Sequence, residues 1–262
     1  MPIDKLWIGT SWNMNKLRAE AKVFASRPAE SRFALDDTVQ LFVIPPFTAV
    51  AEVADILAGT RVMVGVQNLH WAEDGPWTGE ISGARAADAG ATLAEIGHSE
   101  RRTHFGETDE TVALKVVAAL RHGLTPLVCV SDTREEYEAG GTVEALDRQV
   151  RAAVSRVSPQ DAGRVVIAYE PVWSIGEGGT PAEPGFADAQ HALIRTTLRD
   201  VTGSDLRVLY GGSVNPGNCV ALAASPTSMG CSSGAPPGIR TAISVWWRWS
   251  VPHDSAGTDG PL

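Results

Sequence analysis

The chain has 262 residues, a formal net charge of −9 and 44% hydrophobic residues, enough for one large α/β barrel or two small domains with a sizeable core. The acidic balance, without a basic run, speaks against nucleic acid and anionic membranes as partners, and the chain carries neither a signal-peptide pattern nor the roughly 18 apolar residues of a membrane helix. Its three cysteines, Cys129, Cys219 and Cys231, are odd in number and lack CxxC or His-rich spacing, which argues against a zinc site and for a reducing compartment, the cytoplasm by default.

Runs rich in β-formers fall at 5–10, 41–44, 61–66, 91–96, 125–130, 164–169 and 206–210. Helical patterns follow most of them, the clearest at 110–122, 142–157 and 186–201. In the second of these, Leu146, Val150, Ala153 and Val157 share one face. Regular alternation of seven βα units predicts a parallel sheet. Strands that are nearly continuous apolar runs predict that both of its faces are covered. An open, doubly wound sheet usually shows a GxGxxG turn after its first strand, and Gly9-Thr10-Ser11-Trp12 is not one. A closed barrel places its functional residues just after its strands.

Three strand ends are polar. The fourth runs into Gly97-His98-Ser99-Glu100. The sixth ends in Tyr169-Glu170-Pro171, where a proline that cannot donate to the ladder stops the strand just after a lone carboxylate. A loop with a Gly-rich exit, Gly176-Glu177-Gly178-Gly179, follows it, the layout of a proton-transfer site with a lid. The seventh ends in Tyr210-Gly211-Gly212-Ser213, where paired glycines expose backbone N–H groups to an anion such as phosphate. Singly, these are also what a capping glutamate, a structural histidine and an ordinary glycine turn look like. Their shared position on one rim favours the functional reading.

Six motifs carry a resemblance over residues 6 to about 226: Gly65-Val66-Gln67-Asn68, Thr78-Gly79-Glu80-Ile81-Ser82, Gly97-His98-Ser99-Glu100-Arg101-Arg102, Phe105-Gly106-Glu107-Thr108, Ala168-Tyr169-Glu170-Pro171-Val172-Trp173 and Tyr210-Gly211-Gly212-Ser213-Val214. With them the chain resembles the triosephosphate isomerase family, and the fold this implies is a TIM (β/α)8 barrel. Trp7-Ile8-Gly9-Thr10-Ser11-Trp12, Ile44-Pro45-Pro46-Phe47-Thr48-Ala49-Val50, His70-Trp71 and Asn215-Pro216-Gly217-Asn218-Cys219 resemble the branch that isomerises tetrulose phosphates, of the L-erythrulose-1-phosphate type, in erythritol breakdown. Typical triosephosphate isomerases have Asn where this chain and that branch have Ser11.

The resemblance implies an aldose–ketose isomerase that needs no cofactor and no metal and acts on a small phosphorylated sugar through an enediolate. Glu170 would be the base and neutral His98 the group that polarises the carbonyl. Glu100 would support the site, and the first strand with Ser11 would line its floor. Ser213, the Gly211 and Gly212 amides and Gly176 would hold phosphate. Thr78 would reach into a second subunit, implying a homodimer.

Two departures stand out. The family carries a lysine two residues after the Ser11 position, and here that residue is Asn13, with Lys16 expected to open an outward-facing helix. Losing one such fixed cation costs on the order of 100- to 1000-fold in rate. The second departure is at Pro226. The branch continues with a strand, a phosphate-binding turn and a helix, in a form such as HIDGLFIGRSAW. This chain reads Thr227-Ser228-Met229-Gly230-Cys231-Ser232-Ser233-Gly234-Ala235-Pro236-Pro237-Gly238 instead. Shifted by one base, the codons these residues allow can spell HIDGLFIGRSAW without a conflict. The expectation is therefore an isomerase domain at 1–226 and a frameshifted, irregular tail at 227–262 that replaces the eighth βα unit. A catalytically impaired member of the family is the alternative reading of the same residues.

Overall fold

The apolar runs become strands because each is long enough to cross a core and too β-branched to prefer a helix. In the computed structural model, which describes residues 5–31, 35–175, 182–214, 218 and 221–222, seven strands form one sheet in the order β1 to β7. They are β1 Leu6–Ser11, β2 Val39–Ile44, β3 Met63–Val66, β4 Leu93–Ile96, β5 Thr125–Asp132, β6 Val166–Pro171 and β7 Arg207–Tyr210. Every pairing is parallel. Eight helices lie between them: α1 Arg18–Ala29, α2 Val50–Ile56, α3 Gly83–Asp88, α4 Ser99–His104, α5 Asp109–Arg121, α6 Arg134–Glu138, α7 Thr142–Val154 and α8 Pro184–Thr202.

Consecutive parallel neighbours joined through helices are right for a barrel, and the two sheet ends do approach each other. The Arg207 guanidinium on β7 donates to the carbonyl of Lys5 at 2.6 Å and lies 5.2 Å from the Trp7 ring on β1. Among the described residues no strand pairs with both β7 and β1. Two apolar layers result. A small cluster inside the barrel holds Trp7, Phe42, Leu127, Ala168 and Leu209. A larger one lies between strands and helices, around Val43, Val128, Leu146, Ile167 and Ile194.

The helices are set by the stripe they bury and by their ends. Leu146, Val150 and Ala153 of α7 are buried as their spacing predicts, whereas Val157 lies beyond the helix, which stops at Val154. Thr108 and Thr133 cap α5 and α6 with their hydroxyls. Pro184 opens α8, and Gly203 closes it at φ 69, a left-handed turn that costs glycine nothing.

Boundaries differ from expectation at two informative places. β6 includes Glu170 and Pro171 rather than ending at Tyr169. Register pairs Asp132 with Pro171, but β7 has ended at Tyr210 opposite Tyr169, so proline sits where only one neighbour remains. Lys16 does not open a helix. It stands at φ 66 before α1, its ammonium 5.7 Å from both the Trp12 and Phe24 rings, and α1 begins at Arg18. The segment 227–262, Cys219, Cys231 and Gly176 lie outside the described residues.

Candidate active site

β4 and β6 deliver the two central side chains. Register places Ser131 of β5 beside Glu170, and β4 ends at Ile96 opposite Val128, so His98 follows just past its strand end. His98 Nε2 lies 3.4 Å from Glu170 Oε1. The other Glu170 oxygen accepts the Ser99 N–H at 3.1 Å. Only 4% of Glu170 is exposed, so its carboxylate is held by protein donors rather than by bulk water.

His98 is oriented from behind. Its Nδ1 accepts the Glu100 N–H at 3.3 Å, which specifies the neutral tautomer with the proton on Nε2, facing Glu170. Burial is the largest influence on its pKa and pulls it down. Glu170, Glu95 and Glu100 together outweigh burial and hold it above the ordinary imidazole value. The resemblance implies a neutral His98, so the three carboxylates pull against that role.

A buried network below sets the backbone of this turn. The Glu107 carboxylate accepts the Gly97 N–H at 2.9 Å, Arg101 Nε at 2.8 Å and Lys115 Nζ at 2.8 Å, and Lys115 also donates to Asn68 Oδ1 at 2.7 Å. Arg102 Nε takes the Gly97 carbonyl at 2.9 Å. Both polar groups of the residue before His98 are thereby pinned. Burial pushes Glu107 up, but Lys115 and Arg101 prevail and hold it below the ordinary carboxylate value.

Of the other expected residues, Ser11, Asn13, Glu100, Gly211 and Gly212 line one cavity of about 640 Å³ together with Glu95, His98, Cys129, Glu170 and Tyr210, whereas Ser213 and Thr78 are not among its lining residues. Asn13 reaches Glu100, Nδ2 to Oε1 at 3.4 Å, and its carbonyl accepts Gln67 Nε2 at 2.9 Å. Lys16 does not line the cavity, and among the described lining residues there is no Lys or Arg. Ser213 donates its hydroxyl to the Ser174 carbonyl at 2.6 Å. Thr78 is exposed in the loop between β3 and α3, next to Trp77, whose ring lies 4.3 Å from that of His70. The glycine pair needs one correction. The Gly211 N–H bonds the Tyr169 carbonyl at 2.7 Å and is not free for phosphate. Its role is room, since a Cβ there would meet Glu170 Cγ at 2.9 Å. A Cβ on Gly212 would meet the Tyr210 hydroxyl at 2.4 Å.

Two residues in the cavity were not singled out from sequence. Cys129 is buried, and burial first, with Glu170 and Glu95 next, pushes its thiol well above its ordinary range, so it is no thiolate nucleophile. Glu95 accepts the Ser11 hydroxyl at 2.8 Å. Its signal was present in the sequence: a carboxylate within an apolar strand covered on both faces has no solvent side to turn to. Among the described residues no group of three or more His, Cys, Asp or Glu is placed to hold a metal ion, and no helix is long and apolar enough to cross a membrane.

A buried carboxylate facing a strand-end imidazole lies at the C-terminal mouth of a parallel βα barrel, the end at which barrel enzymes carry their active sites. A family model for triosephosphate isomerase matches residues 6–235, which takes in the first residues past Pro226. The chain is 52% identical over 225 residues to the L-erythrulose-1-phosphate isomerase of Brucella abortus biovar 1 (strain 9-941), covering 86% of this chain and 88% of that one. It is 51% identical over 223 residues to the protein of the same name from Rhizobium rhizogenes, with 85% of each covered. The solved triosephosphate isomerase of Bartonella henselae superposes with a TM-score of 0.75 at 33% identity, over 86% of this chain and 90% of that one. The chain belongs to the triosephosphate isomerase family, and the fold is its TIM barrel.

Proposed function

We propose that this chain isomerises phosphorylated four-carbon ketoses, the substrate class in the name its relatives carry, through an enediolate, with triose phosphates as poorer substrates. The observation that carries the proposal is the 3.4 Å approach of His98 Nε2 to Glu170 Oε1. A substrate seated against both groups would lose a proton from the carbon beside its carbonyl to Glu170. His98 would donate its Nε2–H to the carbonyl oxygen as charge develops there. The same carboxylate then returns the proton to the former carbonyl carbon, while the His98 imidazole takes back a proton from the neighbouring hydroxyl, whose oxygen becomes the new carbonyl. No redox partner is needed, because one carbon is oxidised as its neighbour is reduced. Glu100 acts through its backbone on the tautomer of His98, and the phosphate would sit by Ser213, Gly212 and Gly176.

In this reading Thr78 and Trp77 form the contact with a second copy, and the catalytic domain spans 1–226 with a frameshifted tail at 227–262. One observation favours the second reading, an impaired enzyme: Asn13 stands at the family lysine and no described lining residue carries a fixed cation. The test is isomerisation of L-erythrulose 1-phosphate and of dihydroxyacetone phosphate in heavy water, followed by deuterium incorporation, for wild type and Glu170→Gln. Turnover by wild type at least 100-fold above Glu170→Gln supports the isomerase. Equal rates from two folded proteins establish the impaired reading.

A further inference from the structure

Glu95 is a buried acid that the two-residue proton transfer does not use. It sits on β4, three residues deeper along the strand than His98, and 6% of it is exposed. Ser11, 84 positions away on β1, donates to one of its oxygens. No described residue donates to the other oxygen, and no Lys or Arg lines the cavity beside it, which leaves the His98 imidazole as the favourable charge partner. Around it the cavity floor is apolar: Trp7, Leu127, Ala168 and Leu209. A carboxylate so little compensated in such a place is costly to the fold, and groups of that kind concentrate where a ligand meets them.

We infer that Glu95 and Ser11 form a subsite for a hydroxymethyl group, the substituent that a four-carbon ketose phosphate has and a triose phosphate lacks. This rests on the isomerase reading above. Glu170 and His98 flank the two carbons that exchange the proton. The phosphate is assigned to the rim beyond β7, so the substituent on the far carbon points down the barrel toward β1 and β4. A triose carries only hydrogen there. A hydroxymethyl group there meets a carboxyl oxygen and a serine hydroxyl. Typical triosephosphate isomerases carry the longer Asn at the Ser11 position, so serine also leaves more space.

The electrostatics suit a hydroxyl. Burial first, then Glu170, pushes Glu95 up to about 7, while His98 and the Ser11 hydrogen bond pull down. Near neutral pH the group is partly protonated and presents both an acceptor and a donor, the pair that one hydroxyl requires.

The test measures binding as well as turnover, so that a slow enzyme does not obscure the subsite. Erythritol 4-phosphate and glycerol 3-phosphate are titrated calorimetrically into wild type, Glu95→Gln, Glu95→Leu and Ser11→Ala, and kcat/KM is taken for the matching tetrulose and triose phosphates. Wild type should prefer the four-carbon ligand. Glu95→Leu, close in volume and set among apolar neighbours, should cut that preference by about 30-fold or more, and Glu95→Gln by less. Equal losses on both ligands, or no preference in wild type, overturn the subsite. An intact preference without turnover overturns the isomerase reading and keeps the subsite, and failure to bind either ligand overturns both.

Discussion

Asn13 Nδ2 lies 3.4 Å from Glu100 Oε1 across the cavity mouth, where the family places a lysine ammonium. Asn13 also has φ 49, a left-handed backbone that asparagine tolerates better than lysine. The substitution therefore exchanges a charge for a relaxed turn. It leaves three carboxylates, Glu170, Glu95 and Glu100, to raise His98, with burial and the weaker pull of the Arg101 guanidinium against them.

Asn13→Lys should lower the His98 pKa, because a new cation disfavours the imidazolium. The acid limb of the kcat profile will move to lower pH, and kcat will rise on the order of 100-fold where phosphate binding is intact. Stability should fall by about 1 kcal/mol from the left-handed turn. Nitrogen NMR of the imidazole and a pH–rate profile check the first part, and denaturant unfolding checks the second. A His98 pKa that does not move would sink the argument.

Glu95 should make the fold less stable in alkali. Its folded pKa, about 7, lies above the ordinary 4.5, so folding takes up a proton between those values. The stabilisation is whole below the ordinary value and is lost as pH rises through about 7, amounting to about 3 kcal/mol in all. Glu95→Gln cannot ionise, so its melting temperature should exceed that of wild type near pH 8.5 and match it near pH 5. Melting curves that run parallel across pH would contradict this.

Glu107→Leu should destabilise by about 3–5 kcal/mol, because Lys115 would be left buried without its counter-charge. The double change Glu107→Leu, Lys115→Met should recover a good part of that loss. Urea titrations of wild type, Glu107→Leu, Lys115→Met and the double variant decide it, and additive losses would mean that the pair is not coupled.

Gly211→Ala should reduce kcat by about 100-fold with a smaller change in KM. The added Cβ would stand 2.9 Å from Glu170 Cγ and must displace the base. A crystal structure of the variant with Glu170 unmoved would remove the explanation.

Restoring HIDGLFIGRSAW after Pro226 should raise the melting temperature by several degrees and increase turnover, since it would supply a strand between β7 and β1 and a phosphate turn. Sequencing the nucleotides around that codon gives an independent check. No gain in stability would remove the frameshift reading.

The sequence by itself determined the seven strands and the polar strand ends that carry His98 and Glu170. Strands buried on both faces must be short apolar runs, and a carboxylate or imidazole just past such a run is conspicuous. His98, Glu170 and the order of the sheet were legible for that reason. Only the tertiary structure decided which groups face one another. Glu95 reads as one acid among apolar residues until the barrel brings Ser11 to it, and Gly211 reads as a free amide until Tyr169 occupies it. Lys16 reads as the start of an outward-facing helix until its left-handed backbone turns it onto Trp12 and Phe24. Local pattern follows from the period of the chain, whereas these contacts join residues up to 84 positions apart and exist only once the sheet has curved round to enclose them.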